Sequence, residues 1–354
     1  MNVFCYFVEP ASYTIDLARN VYDQYKIDYC FMKSDTLVKS RRTTNKEFLD
    51  QKSVVERIKF IYNIYKNNDV IIVNGYNNYT FILNFLFNLI LNKRRYIATD
   101  SDSQYQIPYN FIKRFIKWIY LSFIFSNKYI LGFAGGSFSH KELFREYGMD
   151  EERIFFIPMM VDNSNFFIKN KRFPNTFTFL YVGRLVKHKG VEELILNFIS
   201  NFSDKPAVLR IVGAGPIGEE LRVRYQSDKI IFAGKKFDDD LVAEFHSASC
   251  FVLPSLFEPW GLVVNEALSA SLPVVLQNNV GAHFDLIKDR HTGFVVSNIN
   301  EFGEKMLKLY SDRMLLKDYS EKAGKLMRNY WNYDLYRQSI LDVFDNIKKW
   351  KKTI

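Results

Sequence analysis

The sequence predicts an α/β protein of two Rossmann-like domains, each built on a parallel sheet. Three observations predict it. At 354 residues the chain exceeds one average domain and is comfortable for two, each able to bury a full core. Short β-rich runs alternate with helical patterns through both halves, the order a parallel sheet requires. Between the halves, residues 163–177 (NSNFFIKNKRFPNTF) are polar, carry a proline and lack periodicity, which marks a linker. The domains are expected at residues 1–165 and 171–334.

In the first half the alternation reads VFCYFVE then TIDLARNVYDQY, DVIIVNG then TFILNFLFNLILN, and RRYIATD then FIKRFIKWIYLSFIF. YILGFAG and the helical SFSHKELFREYG follow, before the strand-like RIFFIPM. The second half is cleaner. TFLYVGR leads to a helix from about Val191, AVLRIVG to one from about Ile217, KIIFAG to one from Asp239, and CFVLPS to one from Gly261. PVVLQ and GFVVS complete the strands, and two long helices are expected after them, the last over residues 332–351.

With 48% apolar and 25% charged residues the composition is that of a globular protein rather than a disordered one. A formal charge of +9 attracts phosphate, whether in nucleic acid, on anionic lipid or on a nucleotide. No recognition module or basic tail accompanies it to favour nucleic acid. Cys5, Cys30 and Cys250 are odd in number, widely spaced and without a CxxC, which fits free thiols and a cytoplasmic location. The N-terminus, MNVFCYFVEPASY, reads as a first strand and not as a signal peptide. The longest apolar runs, residues 79–91 and 118–126, are shorter than the roughly 18–20 residues of a spanning helix, so the chain is expected not to cross a membrane.

Ligands of such sheets bind beyond the carboxyl ends of the strands, so the loops there carry the chemistry. GRLVKHKG, residues 183–190, sets Gly183, Arg184 and Lys189 before a helix, where cations oppose the helix dipole unless an anion lies between. A solvated loop would hold the same residues. GAGPIG, residues 213–218, satisfies the dinucleotide pattern, but a complete strand and helix precede it. It is read as a tight turn, with Gly213 and Gly215 letting backbone approach a ligand. In FEPWGLVVNEAL, residues 257–268, Glu258 lies in the loop and Glu266 more than a turn inside the helix. They are two separate hydrogen-bond acceptors flanking the amides of Gly261, Leu262 and Val263, which suit an anion. A phosphate between two hydroxyl-rich parts, meaning a sugar nucleotide, would satisfy every group. DSDS, residues 100–103, contains an Asp-x-Asp that could ligate Mg²⁺ or Mn²⁺. The first histidine is His140, so no histidine base comes from the early strands, and no HExxH occurs.

Taken in this order and spacing, GRLVKHKG, IVGAGP, IIFAG, FVLPSLFEPWGLVVNEALSASLPVV and GFVV resemble the donor-binding half of a retaining glycosyltransferase of family 4 with the GT-B fold. FAGGSFSHKELFREYGMDEERIFFIPMMVDNSNFF resembles that family's approach to its interdomain linker. The resemblance implies two Rossmann-like domains facing across a cleft, with a C-terminal helix of about residues 335–354 crossing back to the first. It implies a hexosyl transfer from a UDP- or GDP-linked sugar to a glycan or lipid-linked acceptor, as in bacterial surface polysaccharide synthesis, without a metal cofactor. Arg184 and Lys189 would then neutralise the diphosphate, Glu266 would accept from ribose hydroxyls and Glu258 would hold the donor sugar. Backbone near Lys236 and Phe237 would meet the base, and Trp260 and Gly261, in the loop that holds Glu258, would also bind the donor. Where many relatives carry a Gly-rich loop after the first strand this chain has EPASY, and where they carry a histidine it offers Asp100 or Asp102.

FIKRFIKWIYLSFIF, residues 111–125, interleaves Lys113, Arg114 and Lys117 with large aromatics, so it reads either as a helix on an anionic membrane surface or as a core helix with snorkelling lysines. The alternatives to an enzyme are a non-catalytic sugar or nucleotide binder, or a membrane-associated protein, on the same fold. An NAD(P)-binding oxidoreductase or epimerase is a further one.

Overall fold

A computed structural model describes residues 1–34, 46–91, 93–101, 110–137 and 139–353. The chain divides into two compact units, Met1–Met160 with Tyr333–Ile354, and Val161–Asn332.

The first unit holds strands β1 (Val3–Phe7), β2 (Asp28–Phe31), β3 (Val70–Val73), β4 (Tyr96–Ser101), β5 (Ile130–Ala134) and β6 (Ile154–Phe156). They pair in the order β2-β1-β3-β4-β5-β6, every pair parallel. VFCYF, VIIV and ILGFA are buried along their whole length because helices cover both faces of the sheet. Right-handed crossovers put helices Val54–Asn67, Tyr79–Ile90 and Phe111–Phe125 on one face. There Phe85 meets Phe123 edge-on at 5.7 Å and Tyr62 meets Phe87 at 5.5 Å. Strand alternation turns Phe7 to the other face, where it stacks on Tyr22 at 5.4 Å. The C-terminal helix Tyr333–Thr353 belongs to this unit: Tyr336 and Tyr22 bring their hydroxyls within 3.1 Å, and Arg337 donates to the Asn20 carbonyl at 2.9 Å.

The second unit holds β7 (Phe177–Val182), β8 (Ala207–Val212), β9 (Ile230–Gly234), β10 (Cys250–Leu253), β11 (Val274–Gln277) and β12 (Gly293–Val296). The order is β12-β11-β10-β7-β8-β9, again parallel throughout. The chain starts at β7, runs outward to β9, then returns to β10 and runs the other way. β7 and β10 therefore flank a topological switch point, where the loops beyond them diverge and leave a crevice.

Several expectations need correction. The alternation skips β2 and the helix Val54–Asn67, although the latter begins with a capping box, Ser53 and Glu56 bonding reciprocally. Three helices follow β12, not two: Ile299–Ser311, Arg313–Asn329 and Tyr333–Thr353. Asp312 splits the first pair, its carboxylate accepting from the Leu315 amide at 2.9 Å. The polar stretch from residue 163 is not a free linker. Asn163 donates to the Met327 and Trp331 carbonyls at 2.7 Å, and Lys171 donates to Phe245 and His246 carbonyls at 3.0 and 2.7 Å. Helix Phe111–Phe125 is not a core helix, since of its residues Leu121, Ile124 and Phe125 alone are buried. Asp102 and Ser103 of the Asp-x-Asp motif lie outside the described residues.

Candidate functional site

The loops beyond β7, β8, β10 and β11 interlock in the second unit. The Gly183 amide donates to Val212 at 3.0 Å, and the Leu185 amide to Ala214 at 3.0 Å. Gly213 has φ +140°, and a Cβ there would land inside the Gly183 carbonyl oxygen. One at Gly215 would do the same to the Leu185 carbonyl. The glycines of GAGPIG are thus explained by the approach of a neighbouring protein loop, where the sequence suggested a ligand. Gly183 itself sits over the Tyr181 hydroxyl, which donates to the Arg184 carbonyl at 3.0 Å.

The loop beyond β10 is held on both sides. The Leu256 amide donates to His188 at 2.9 Å, and Glu258 forms a parallel bridge with Val280, its amide donating to Asn279 at 3.1 Å. Its carbonyl accepts from the Gly281 amide at 3.0 Å. Trp260, expected near a ligand, is instead a core residue. It is 2% exposed, stacks on Trp331 at 5.5 Å and gives its indole N–H to Asn265 at 2.8 Å. What it contributes is position: its carbonyl accepts from the Ala282 amide at 3.0 Å.

This framework brings Lys189 and Glu258 together. Lys189, 7% exposed, donates to the half-buried Glu258 carboxylate. Burial, and then the Glu258 charge, push the Tyr181 phenol up, while Arg184 pulls it down. Both charges therefore act on one buried hydroxyl. Arg184 itself is exposed, with no ion pair among the described residues.

Gly261 follows at φ +93°, a left-handed conformation that favours glycine, and opens the helix Leu262–Ser269 with no side-chain cap. The first amides of a helix have no partner within it. This helix is buried all round except along Leu262, Val263 and Glu266, where Glu266 lies four residues after Leu262 and three after Val263 and so shares their face. The Glu266 carboxyl has no hydrogen bond or ion pair to a side chain among the described residues, and desolvation pushes it up to about 8. Desolvation therefore favours its uncharged form, which can both donate and accept. Beyond β9, Lys236 and Phe237 are half-buried, with the Lys235 ammonium 4.8 Å from the Phe237 ring centre.

Of the expected site residues among those described, Asp100 alone lies in the first unit. It accepts from the Asn74 side chain and, at 2.6 Å, from the Gly75 amide. Each oxygen accepts one bond from the loop beyond β3, so the Asp100 carboxylate holds that loop in place. It lines a cavity of about 150 Å³ with Phe7, Asn74, Phe133, Met159 and Tyr336.

Residues 162–326 match the family model described as glycosyl transferases group 1. An uncharacterized glycosyltransferase of Methanocaldococcus jannaschii is 36% identical over 33% of this chain and 31% of its own length. A UDP-Gal:α-D-GlcNAc-diphosphoundecaprenol α-1,3-galactosyltransferase of Escherichia coli is 29% identical over 40% of this chain and 38% of its own. The chain thus spans about a third of the length of these two curated relatives. A solved sucrose-phosphate synthase of Thermosynechococcus elongatus superposes with a TM-score of 0.73 at 15% identity, over 99% of this chain and 100% of that one. The glycosyl transferases group 1 match thus falls on residues 162–326, and the chain's two parallel-sheet units have the GT-B glycosyltransferase fold.

Proposed function

We propose that the chain is a retaining glycosyltransferase that moves a hexosyl group from a nucleoside diphosphate sugar to a lipid-linked or glycan acceptor. One observation carries this reading: the Lys189–Glu258 pair, the uncapped amides of Leu262 and Val263, and the Glu266 carboxyl all belong to the loop-and-helix framework at the β7/β10 switch point. Breaking the bond from the anomeric carbon to the diphosphate builds negative charge on the departing phosphate and positive charge on the sugar ring. Arg184, Lys189 and the helix amides stabilise the phosphate. A preorganised donor of this kind is worth on the order of 10²–10³ in rate. Glu258, ion-paired with Lys189, accepts from donor-sugar hydroxyls, and Glu266, whose uncharged form burial favours, exchanges hydrogen bonds with ribose hydroxyls. Backbone at Lys236 and Phe237 meets the base. Attack from the face that the phosphate leaves retains configuration, with the phosphate taking the acceptor's proton.

Because protein cations and amides neutralise the diphosphate, the reaction needs no divalent metal. The donor named for the Escherichia coli relative is UDP-Gal and its acceptor a diphosphoundecaprenol-linked sugar, which supports a uridine donor and a polyprenyl-linked acceptor here. The test is a thermal-shift screen of uridine, guanosine and adenosine diphosphate sugars in EDTA, on wild type, Glu266→Ala and Lys189→Ala. Stabilisation by one nucleotide, lost in both variants, is expected. Stabilisation by none, with or without Mn²⁺, overturns the reading.

A further inference from the structure

One face of the first unit exposes far more apolar surface than a globular monomer needs. On helix Phe111–Phe125, the side chains of Phe111, Ile112, Phe115, Ile116, Trp118 and Ile119 all stand in solvent, Phe111 being 78% exposed. Phe111, Phe115 and Trp118 form a stacked row with ring centres 6.5 and 6.3 Å apart. Helix Tyr79–Ile90, joined to it through Phe85 and Phe123, adds exposed Ile82, Leu86, Leu89 and Ile90, the last 75% exposed. A contiguous patch of this kind marks an interaction surface.

The charge around it identifies the partner. No Asp or Glu occurs between Asp69 and Asp100 or between Asp102 and Glu142, so neither helix carries a carboxylate. Lys113 and Arg114 are exposed among the apolar residues of the second helix, and Lys93 and Arg94 follow the first. A second copy of the chain docked here face to face would oppose these cations to one another. An anionic bilayer would neutralise them while its acyl boundary takes up Phe, Ile and Trp. The 15-residue helix is about 22 Å long, shorter than the hydrocarbon core, and no described helix is long and apolar enough to cross a membrane.

We propose that helices Phe111–Phe125 and Tyr79–Ile90 form a docking surface for anionic lipid bilayers, lying in the interface plane with Phe111, Ile112 and Phe115 inserted. The inference rests on this exposed face and not on the donor site, and it deepens the proposed function by holding the first unit at the surface where a polyprenyl-linked acceptor lies.

The test is co-sedimentation of the full chain with vesicles of phosphatidylcholine alone and of phosphatidylcholine with phosphatidylglycerol. Binding to the anionic vesicles, weakened by salt, is expected. The exposed triple variant Phe111→Ser, Ile112→Ser, Phe115→Ser, and separately Lys113→Glu with Arg114→Glu, should each lose about tenfold or more in vesicle affinity. Sedimentation velocity and nucleotide thermal shift are run in parallel. Both variants should keep the wild-type melting temperature and nucleotide shift, so failure at the vesicle and failure at the donor site are told apart. No binding to anionic vesicles, or binding that folded variants retain, overturns the proposal. So does a wild-type dimer that the triple variant converts to monomer, since a second copy would then be the occupant.

Discussion

Lys189 and Glu258, 69 residues apart, form an ion pair between the loops beyond β7 and β10, the two strands at the switch point of the second sheet. Their side chains keep 9% and 19% of their exposure, so water solvates neither charge well and each is partly compensated by the other.

Removing one partner takes compensation from the other's charge. Lys189→Ala and Glu258→Ala should each lower the free energy of unfolding by about 2–3 kcal/mol, while the double variant Lys189→Met/Glu258→Leu should recover most of the loss. Transfer activity should fall on the order of 10²–10³ in all three. Urea denaturation beside a turnover assay checks this. A double variant as unstable as the two single losses added together would show that the pair has no mutual dependence.

Glu266 predicts a pH dependence. Desolvation raises its folded-state pKa from 4.5 to about 8, so the folded protein keeps a proton that the unfolded chain releases over that window. Its contribution to stability is therefore full below about 4.5 and is lost as pH rises through about 8. Glu266→Gln, which cannot ionise, should be more stable than wild type at pH 9 and closer to it at pH 5. Chemical denaturation at the two pH values measures the difference. A variant that tracks wild type at both would place the carboxyl in water.

Much of this arrangement is legible in the sequence. Uninterrupted apolar runs such as VIIV and CFVL identify buried parallel strands, and the order of GRLVKHKG, GAGP and FEPWGLVVNEAL identifies the loops that build the site. What escapes is what the chain settles through distant partners. That Lys189 answers Glu258 depends on β7 and β10 being neighbours, which local pattern does not reveal. Trp260 reads as a ligand contact until Trp331 and Asn265 claim its ring and N–H. The helix Val54–Asn67 is obscured by Val54 and Val55, exposed at its start, although its Ser53-x-x-Glu56 box was available as a signal.

The glycines of the β8 loop predict a graded series. Gly213→Ala and Gly215→Ala each force a Cβ against a neighbouring backbone carbonyl, which cannot rotate away, and should cost about 3 kcal/mol or more. Gly234 has φ +71° but nothing within 4 Å of a Cβ, so Gly234→Ala should cost only about 1–2 kcal/mol. Thermal denaturation of the three variants should rank them accordingly. A loss at Gly234→Ala as large as at Gly215→Ala, whose φ is not positive, would mean that the loop crossing does not set the ranking.

Asp100 predicts an effect confined to the first unit. Its carboxylate holds Asn74 and the Gly75 amide, and Asn78 in turn donates to the Asn74 and Gly75 carbonyls at 2.7 Å while capping the helix Tyr79–Ile90. Asp100→Ala removes the acceptor for both donors, so the Gly75 amide should exchange hydrogen at least about tenfold faster, matching the loss of one charge-assisted bond of about 1.5–3 kcal/mol. Asp100→Asn keeps one acceptor oxygen but sets an N–H where the second donor points, so it should recover little. Nucleotide binding by the second unit should stay at the wild-type level in both variants. If hydrogen exchange at residues 74–78 is unchanged in Asp100→Ala, the carboxylate is not what holds the loop, and a direct role at the acceptor becomes the better reading of its place in the first unit's cavity.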